Sequence, residues 1–262
     1  KMDLAGIISC AGVFSVFFGF MYGSFFGFED VLKAIWLKPM NQMMDVPLVG
    51  RLNAVFVIAI GFGMFIILIC MVFNIINSIR RGDTEKTWFD SNAVAGLVFY
   101  GSIVLTIGLF ISGKKLPAAA ILVIMFGVPL LLMFLKEPLT NLVEKKSKIL
   151  PEQKGMFFVQ SFFELFEVLL SYLSNTLSFL RIGAFAVSHA AMMEVVLMLA
   201  GATNGGSPNW VVVVLGNIFV CAMEGLIVGI QVLRLEYYEI FSRFYAGNGR
   251  EFKPFMKAAH KN

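Results

Sequence analysis

Apolar residues run almost unbroken over six stretches of this chain, roughly 4–28, 52–78, 93–112, 116–135, 156–201 and 208–242. Polar and charged residues gather between them. A hydrocarbon core of about 30 Å is crossed by about 20 apolar helical residues. Each stretch meets that length, so the pattern predicts an all-α polytopic transmembrane domain of six spans. The last two runs are longer than crossing requires. At about 1.5 Å per residue, 156–201 makes roughly 69 Å of helix. Such a helix must tilt, bend or project from the bilayer, and we expect both long spans to be tilted.

Composition strengthens this reading. Of 262 residues, 58% are hydrophobic, and the mean hydropathy is +0.82. A soluble domain of this size cannot hide that much apolar surface. Cys10, Cys70 and Cys221 all lie inside apolar runs and are read as buried small hydrophobes, not as a disulfide framework. The chain opens with Lys, and its first apolar run has no small-residue cleavage signature. We therefore expect a portion of a longer protein, with no signal peptide.

Charge sets the orientation. Lys1, Arg80, Arg81, Lys86, Lys136, Lys145, Lys146, Lys148, Lys154, Arg243, Arg250, Lys253, Lys257 and Lys261 fall on the side of the termini. Only Lys33, Lys38, Arg51, Lys114 and Lys115 fall on the other. The positive-inside rule then places both termini and the tail 243–262 in the cytoplasm. Trp36, Trp88 and Trp210 end apolar runs and fit interfacial anchors. Gly19, Gly23 and Gly27 recur every fourth residue, a smooth stripe for close helix contact.

Two cations remain, Arg181 and Arg234, and both lie within spans. A guanidinium at mid-bilayer costs at least about 2.5–3.5 kcal/mol. Helical residues three, four and seven apart share a face. Around Arg181 that face carries Glu167, Ser171, Ser174, Ser178, Ser188 and His189. The sixth span repeats the device: Asn217, Glu224, Gln231 and Tyr238 follow heptad spacing, with Arg234 on the edge of the same face. Glu236, Glu239 and Arg243 approach the cytoplasmic boundary and read as solvated or helix-pairing. Two arginines in one membrane site need an anion to meet them. That anion is a carboxylate from outside the chain, either a small substrate or a partner's side chain. A secondary transporter with Arg181 and Arg234 clamping a carboxylate solute is one reading. Broken helices in paired positions would favour it, but spans five and six do not look paired and carry no proline past Pro208 at the start of the sixth run.

The segments NTLSFLRIGAFAVSHAAM and MEGLIVGIQVLRLEYYEIFSRFYAGNGREFKPF resemble the last two helices of subunit a of V-type ATPases, called subunit I in bacteria and archaea. FFGFMYGSFFGFE resembles an earlier helix of that subunit, so the resemblance covers the whole chain. RIGAFAVSHA matches the prokaryotic branch better than the eukaryotic pattern. The resemblance implies residues 1–262 as a transmembrane stator domain in a prokaryotic plasma membrane. It implies that Arg181 and Arg234 face a rotating proteolipid c-ring whose carboxylates carry H⁺ or Na⁺. Glu224, His189, Glu167, Ser174 and Gln231 then belong to the ion half-channels. Other V-type ATPase subunits are implied partners, with the peripheral stalk reached through an N-terminal arm this chain lacks, along with the family's first two membrane helices. Glu236 stands where many eukaryotic members have His. No ATP site is expected, because no G-x-x-x-x-G-K-[ST] loop occurs. No catalytic residue, cofactor, metal or nucleic-acid partner is expected, and membrane lipids surround the spans.

Overall fold

A computed structural model describes residues 2–23, 27–28, 35, 43–46, 50–82, 87–115, 117–143, 154–202 and 207–245. Five helical stretches are long and apolar enough to cross a membrane, and a sixth is formed if one bent pair counts as a span. Helix α1 is Met2–Tyr22, and a short antiparallel hairpin follows, β1 Met43–Val46 with β2 Gly50–Asn53. Then come α2 Ala54–Arg81, α3 Val94–Ile111, α4 Ala119–Phe134, α5 Lys136–Val143, α6 Lys154–Ser178, α7 Leu180–Leu199 and α8 Trp210–Leu235. A π-helical segment, Glu236–Phe241, continues α8 into the short turn Ser242–Phe244.

Local chemistry explains several boundaries. Asn53 starts α2 by accepting the Val55 N–H at 3.0 Å, and Gly82 ends it at φ 71. Asn209 starts α8 in the same way, on the Val211 N–H at 3.1 Å. Helix α1 stops earlier than the apolar run suggests. Gly23 and Gly27 have φ of 67 and 86, so the expected glycine stripe does not continue down a helix face. Gly27 does admit a close neighbour: a Cβ there would lie 2.8 Å from Met193 Cε.

The fourth apolar run is two helices, bent by 73° between α4 and α5. Pro129 lies inside α4 and has no N–H for the Met125 carbonyl one turn back. The Ser102 hydroxyl of α3 stands 3.5 Å from that carbonyl, so a neighbouring helix reaches the freed acceptor.

Helix α2 is the central post. Ile67 and Met71 are fully buried, packed with Phe99 and Tyr100 of α3, Met133 of α4, Tyr172 of α6 and Leu235 of α8. The fifth run is one 45-residue stretch, Gly155–Leu199, interrupted only at Phe179. The Phe179 side chain is fully buried at this joint. It packs on the bare backbone of Gly63, where any Cβ would collide with the ring. Gly183 likewise lets Phe56 approach, a Cβ there lying 2.9 Å from Phe56 Cδ1. Small residues thus set the closest approach of α2 to α7.

The structure sharpens the reading of the cysteines, the tryptophans and the boundary charges. Cys70 is buried, but Cys10 and Cys221 are exposed on apolar helix faces, where lipid can cover a small thiol. Trp88 and Trp210 are exposed as anchors require, whereas Trp36 lies outside the described residues. Of the two readings for the boundary charges, Glu239 and Arg243 follow the helix-pairing one, since both are buried against other helices. Residues 246–262 of the expected tail also lie outside the described residues.

Candidate functional site

Arg181 sits one residue past the start of α7, next to the Phe179 joint. Its guanidinium, half-buried, turns toward α8. Nη1 donates to the Gln231 carbonyl at 3.2 Å, and Nη2 donates to Ser178 Oγ at 3.4 Å. The Ser178 hydroxyl in turn donates to Glu239 Oε1. Arg234 is exposed on α8, three residues beyond Gln231 and so within one helical turn of the carbonyl that Arg181 touches. The structure therefore brings the two intramembrane arginines to nearly the same level.

On one side of that level lies His189, eight residues further along α7, or about 12 Å of helix rise. Its Nδ1 is 2.5 Å from Glu224 Oε2 of α8. The two side chains are 48% and 16% exposed, so the pair is open on the imidazole side. Glu224 Oε1 is buried with no hydrogen-bond partner among the described residues. A carboxylate with one oxygen on an exposed imidazole and one free can receive a proton or a cation arriving past the ring.

On the other side of Arg181 a polar cavity of about 270 Å³ opens between α6, the 87–93 connection and the end of the last span. Glu164, Glu167, Ser171 and Asn175 form its α6 wall, and Asn92 and Arg243 close it. Glu167 is exposed at its edge. Ser174 is exposed on α6, but the wall uses Ser171 and Asn175 on either side of it. Gln231 enters the site through its backbone carbonyl.

Behind the cavity is a buried cluster that periodicity did not reveal. Arg243 is 6% exposed. It donates to Asn92 Oδ1 at 2.9 Å and to the Glu239 carbonyl at 3.2 Å, and it stacks 5.8 Å from the Tyr172 ring centre. Tyr172 donates to the Ser91 carbonyl, and Asn74 donates to the Asn92 carbonyl at 2.9 Å. Three helical elements, α2, α6 and the turn Ser242–Phe244, thus fasten the 87–93 connection. A polar residue beside an apolar run, such as Asn92 or Asn74, was the one available signal. Among the described residues, no group of three or more His, Cys, Asp or Glu side chains is arranged to hold a metal ion.

The V-type ATPase 116 kDa subunit family matches residues 136–257, the stretch that carries both arginines, the His189–Glu224 pair and Glu167. Archaeal relatives extend the likeness to nearly the whole chain. A-type ATP synthase subunit I of Pyrococcus horikoshii is 25% identical over 96% of this chain and 36% of its own length. The likeness to this family is therefore strongest over the C-terminal half and extends, more weakly, along the rest of the chain. The same subunit of Saccharolobus solfataricus is 41% identical over 35% of this chain and 14% of its own length. The human V-type proton ATPase 116 kDa subunit a 3 is 35% identical over 36% of this chain and 13% of its own length. This chain therefore spans little more than a third of the archaeal relatives it matches from end to end. Its several long apolar helices mark the chain as an integral membrane protein.

Proposed function

We propose that this chain is the membrane stator of a rotary ATPase, coupling rotation of a proteolipid ring to the passage of H⁺ or Na⁺. One observation supports the reading above the others. Arg181 is anchored at the waist of a helix pair, with the His189–Glu224 pair on one side and the Glu167-lined cavity on the other. Two separate sets of polar groups thus flank a fixed positive charge along the helix pair.

The chemistry follows from that layout. Guanidinium stays protonated at any physiological pH. Beside a ring it attracts each arriving carboxylate and weakens that carboxylate's hold on its ion. It also repels a cation that tries to pass straight from one approach to the other. Ions then enter by one half-channel, ride the ring, and leave by the other. Arg234, exposed one turn away, offers a second cation to the same carboxylate. Following the Lys and Arg count, the Glu167 cavity is the cytoplasmic half-channel of a prokaryotic plasma-membrane protein. Glu224 and His189 line the outer one. The chain does not itself hydrolyse ATP. Its partners are the c-ring, lipids and the remaining ATPase subunits, including a peripheral stalk reached through an N-terminal arm.

The test is copurification and transport. The chain should be isolated with a small, Gly-rich hairpin membrane protein. ATP-driven ion uptake in reconstituted vesicles should require both. Full transport of a carboxylate solute by this chain alone would sink the stator reading.

A further inference from the structure

Arg181 is held by a relay that starts from an unusual backbone. Tyr238 lies seven residues after Gln231, so a regular α-helix would turn both to one face. Instead Tyr238 is 71% exposed and Glu239 is 6% exposed. The π-helical segment Glu236–Phe241 accounts for the exchange. A π turn takes in one extra residue and sets the following side chains back by about 100°. Glu239 is therefore brought inward by the main chain itself.

Inward, it meets the Ser178 hydroxyl on Oε1, while Oε2 has no partner among the described residues. A serine hydroxyl donates once and accepts through its lone pairs. With its proton committed to Glu239, Ser178 can only accept from Arg181, whose Nη2 stands 3.4 Å away. The direction of the chain is thus fixed: guanidinium to hydroxyl to carboxylate. The second guanidinium arm is tied to the Gln231 carbonyl. An anion one hydroxyl removed from the cation also tempers its pull on any carboxylate in front of it.

We propose that Ser178 and Glu239 are positioning residues for Arg181. They fix the orientation of its guanidinium, and they let a ring carboxylate leave without dragging the arginine along. The proposal rests on the stator reading. Without the relay, the guanidinium can swing after the departing carboxylate and open the barrier between the half-channels. ATP hydrolysis then continues while ions leak back.

The test uses the complete ATPase in vesicles and reads ions taken up per ATP hydrolysed. A role confined to folding would change the yield of complex but not this ratio. Ser178→Ala and Glu239→Gln should each lower the ratio about fivefold, and Ser178→Thr, which keeps the hydroxyl, should stay within about twofold of the parent. A parental ratio in Ser178→Ala, or equal impairment in the Thr and Ala variants, overturns the relay. Should Ser178→Ala fail to assemble, Glu239→Gln, which keeps the side-chain shape, decides by the same ratio. Arg181→Gln in the same assay separates the two claims. If it pumps normally, the stator reading falls. If it is inactive while Ser178→Ala and Glu239→Gln are normal, only the relay falls.

Discussion

Arg181 Nη1 donates to the main-chain carbonyl of Gln231, 3.2 Å away, across the contact between α7 and α8. The acceptor is backbone, so no side-chain substitution at 231 removes it. The arginine's planar fork is what uses this geometry, one arm on the carbonyl and the other on Ser178. Lysine keeps a cation but has no second arm, and its ammonium can lose its proton when desolvated. Arg181→Lys should therefore abolish most coupled transport, and Arg181→Gln all of it, in assembled complexes. Gln231→Leu should retain more activity than Arg181→Lys. ATP-driven ion uptake, normalised to complex content, decides the order.

Arg234 has a different setting. It is exposed on α8 and one turn nearer the end of the last span. Water or lipid headgroups can reach it there and keep an ammonium charged. Arg234→Lys should hold substantially more uptake than Arg181→Lys in the same vesicles. Equal loss in the two would mean that the fork, and not the charge alone, is needed at both positions.

The His189–Glu224 contact makes a coupled pair. Glu224→Gln and His189→Ala should each reduce flux about tenfold, equivalent to about 1.4 kcal/mol of barrier. The residues touch at 2.5 Å, so their effects should not add. The double variant should be close to the weaker single variant, and assembly should survive in all three. Wild-type flux in both single variants would reduce these residues to helix packing.

Much of this site could be read in the sequence because intramembrane charge is rare. Arg181, Arg234, Glu224 and His189 stood out against apolar neighbours, and a 3.6-residue period was enough to group them. The period failed where the helix stopped being regular. Tyr238 took the place of Glu239 on the expected face because a π segment cannot be inferred from spacing. Gly23 looked helical by the same arithmetic, yet it has a left-handed backbone. Spacing left Arg243 open between a solvated and a helix-pairing charge, because its partner Asn92 lies 151 residues away and only the tertiary fold joins them.

That buried cluster should behave as structure. Asn92 gives Arg243 its only side-chain hydrogen bond recorded among the described residues, and Arg243 Nη2 already lacks one. Removing an acceptor from a buried charged donor costs about 1.5–3 kcal/mol. Asn92→Leu should lower the thermal midpoint of the detergent-solubilised complex by several degrees. The ions-per-ATP ratio of the surviving complex should be preserved. An unchanged midpoint would show that water replaces the amide.

The last prediction concerns Gly63, which carries no charge and lies on another helix. Phe179 packs on its backbone so closely that any Cβ would meet the ring. Phe179 is also the joint between α6 and α7, two residues before Arg181. A valine at 63 must push the ring away from α2, and forced overpacking of this kind costs about 1–3 kcal/mol. The displaced joint carries Arg181 with it, out of reach of Ser178 Oγ and the Gln231 carbonyl. Gly63→Val should therefore lower both complex yield and ions moved per ATP, although position 63 touches no ion. Pairing it with Phe179→Leu, which shortens the ring side, should restore part of both. A Gly63→Val complex with normal yield and normal coupling would mean that the joint can shift without moving the arginine.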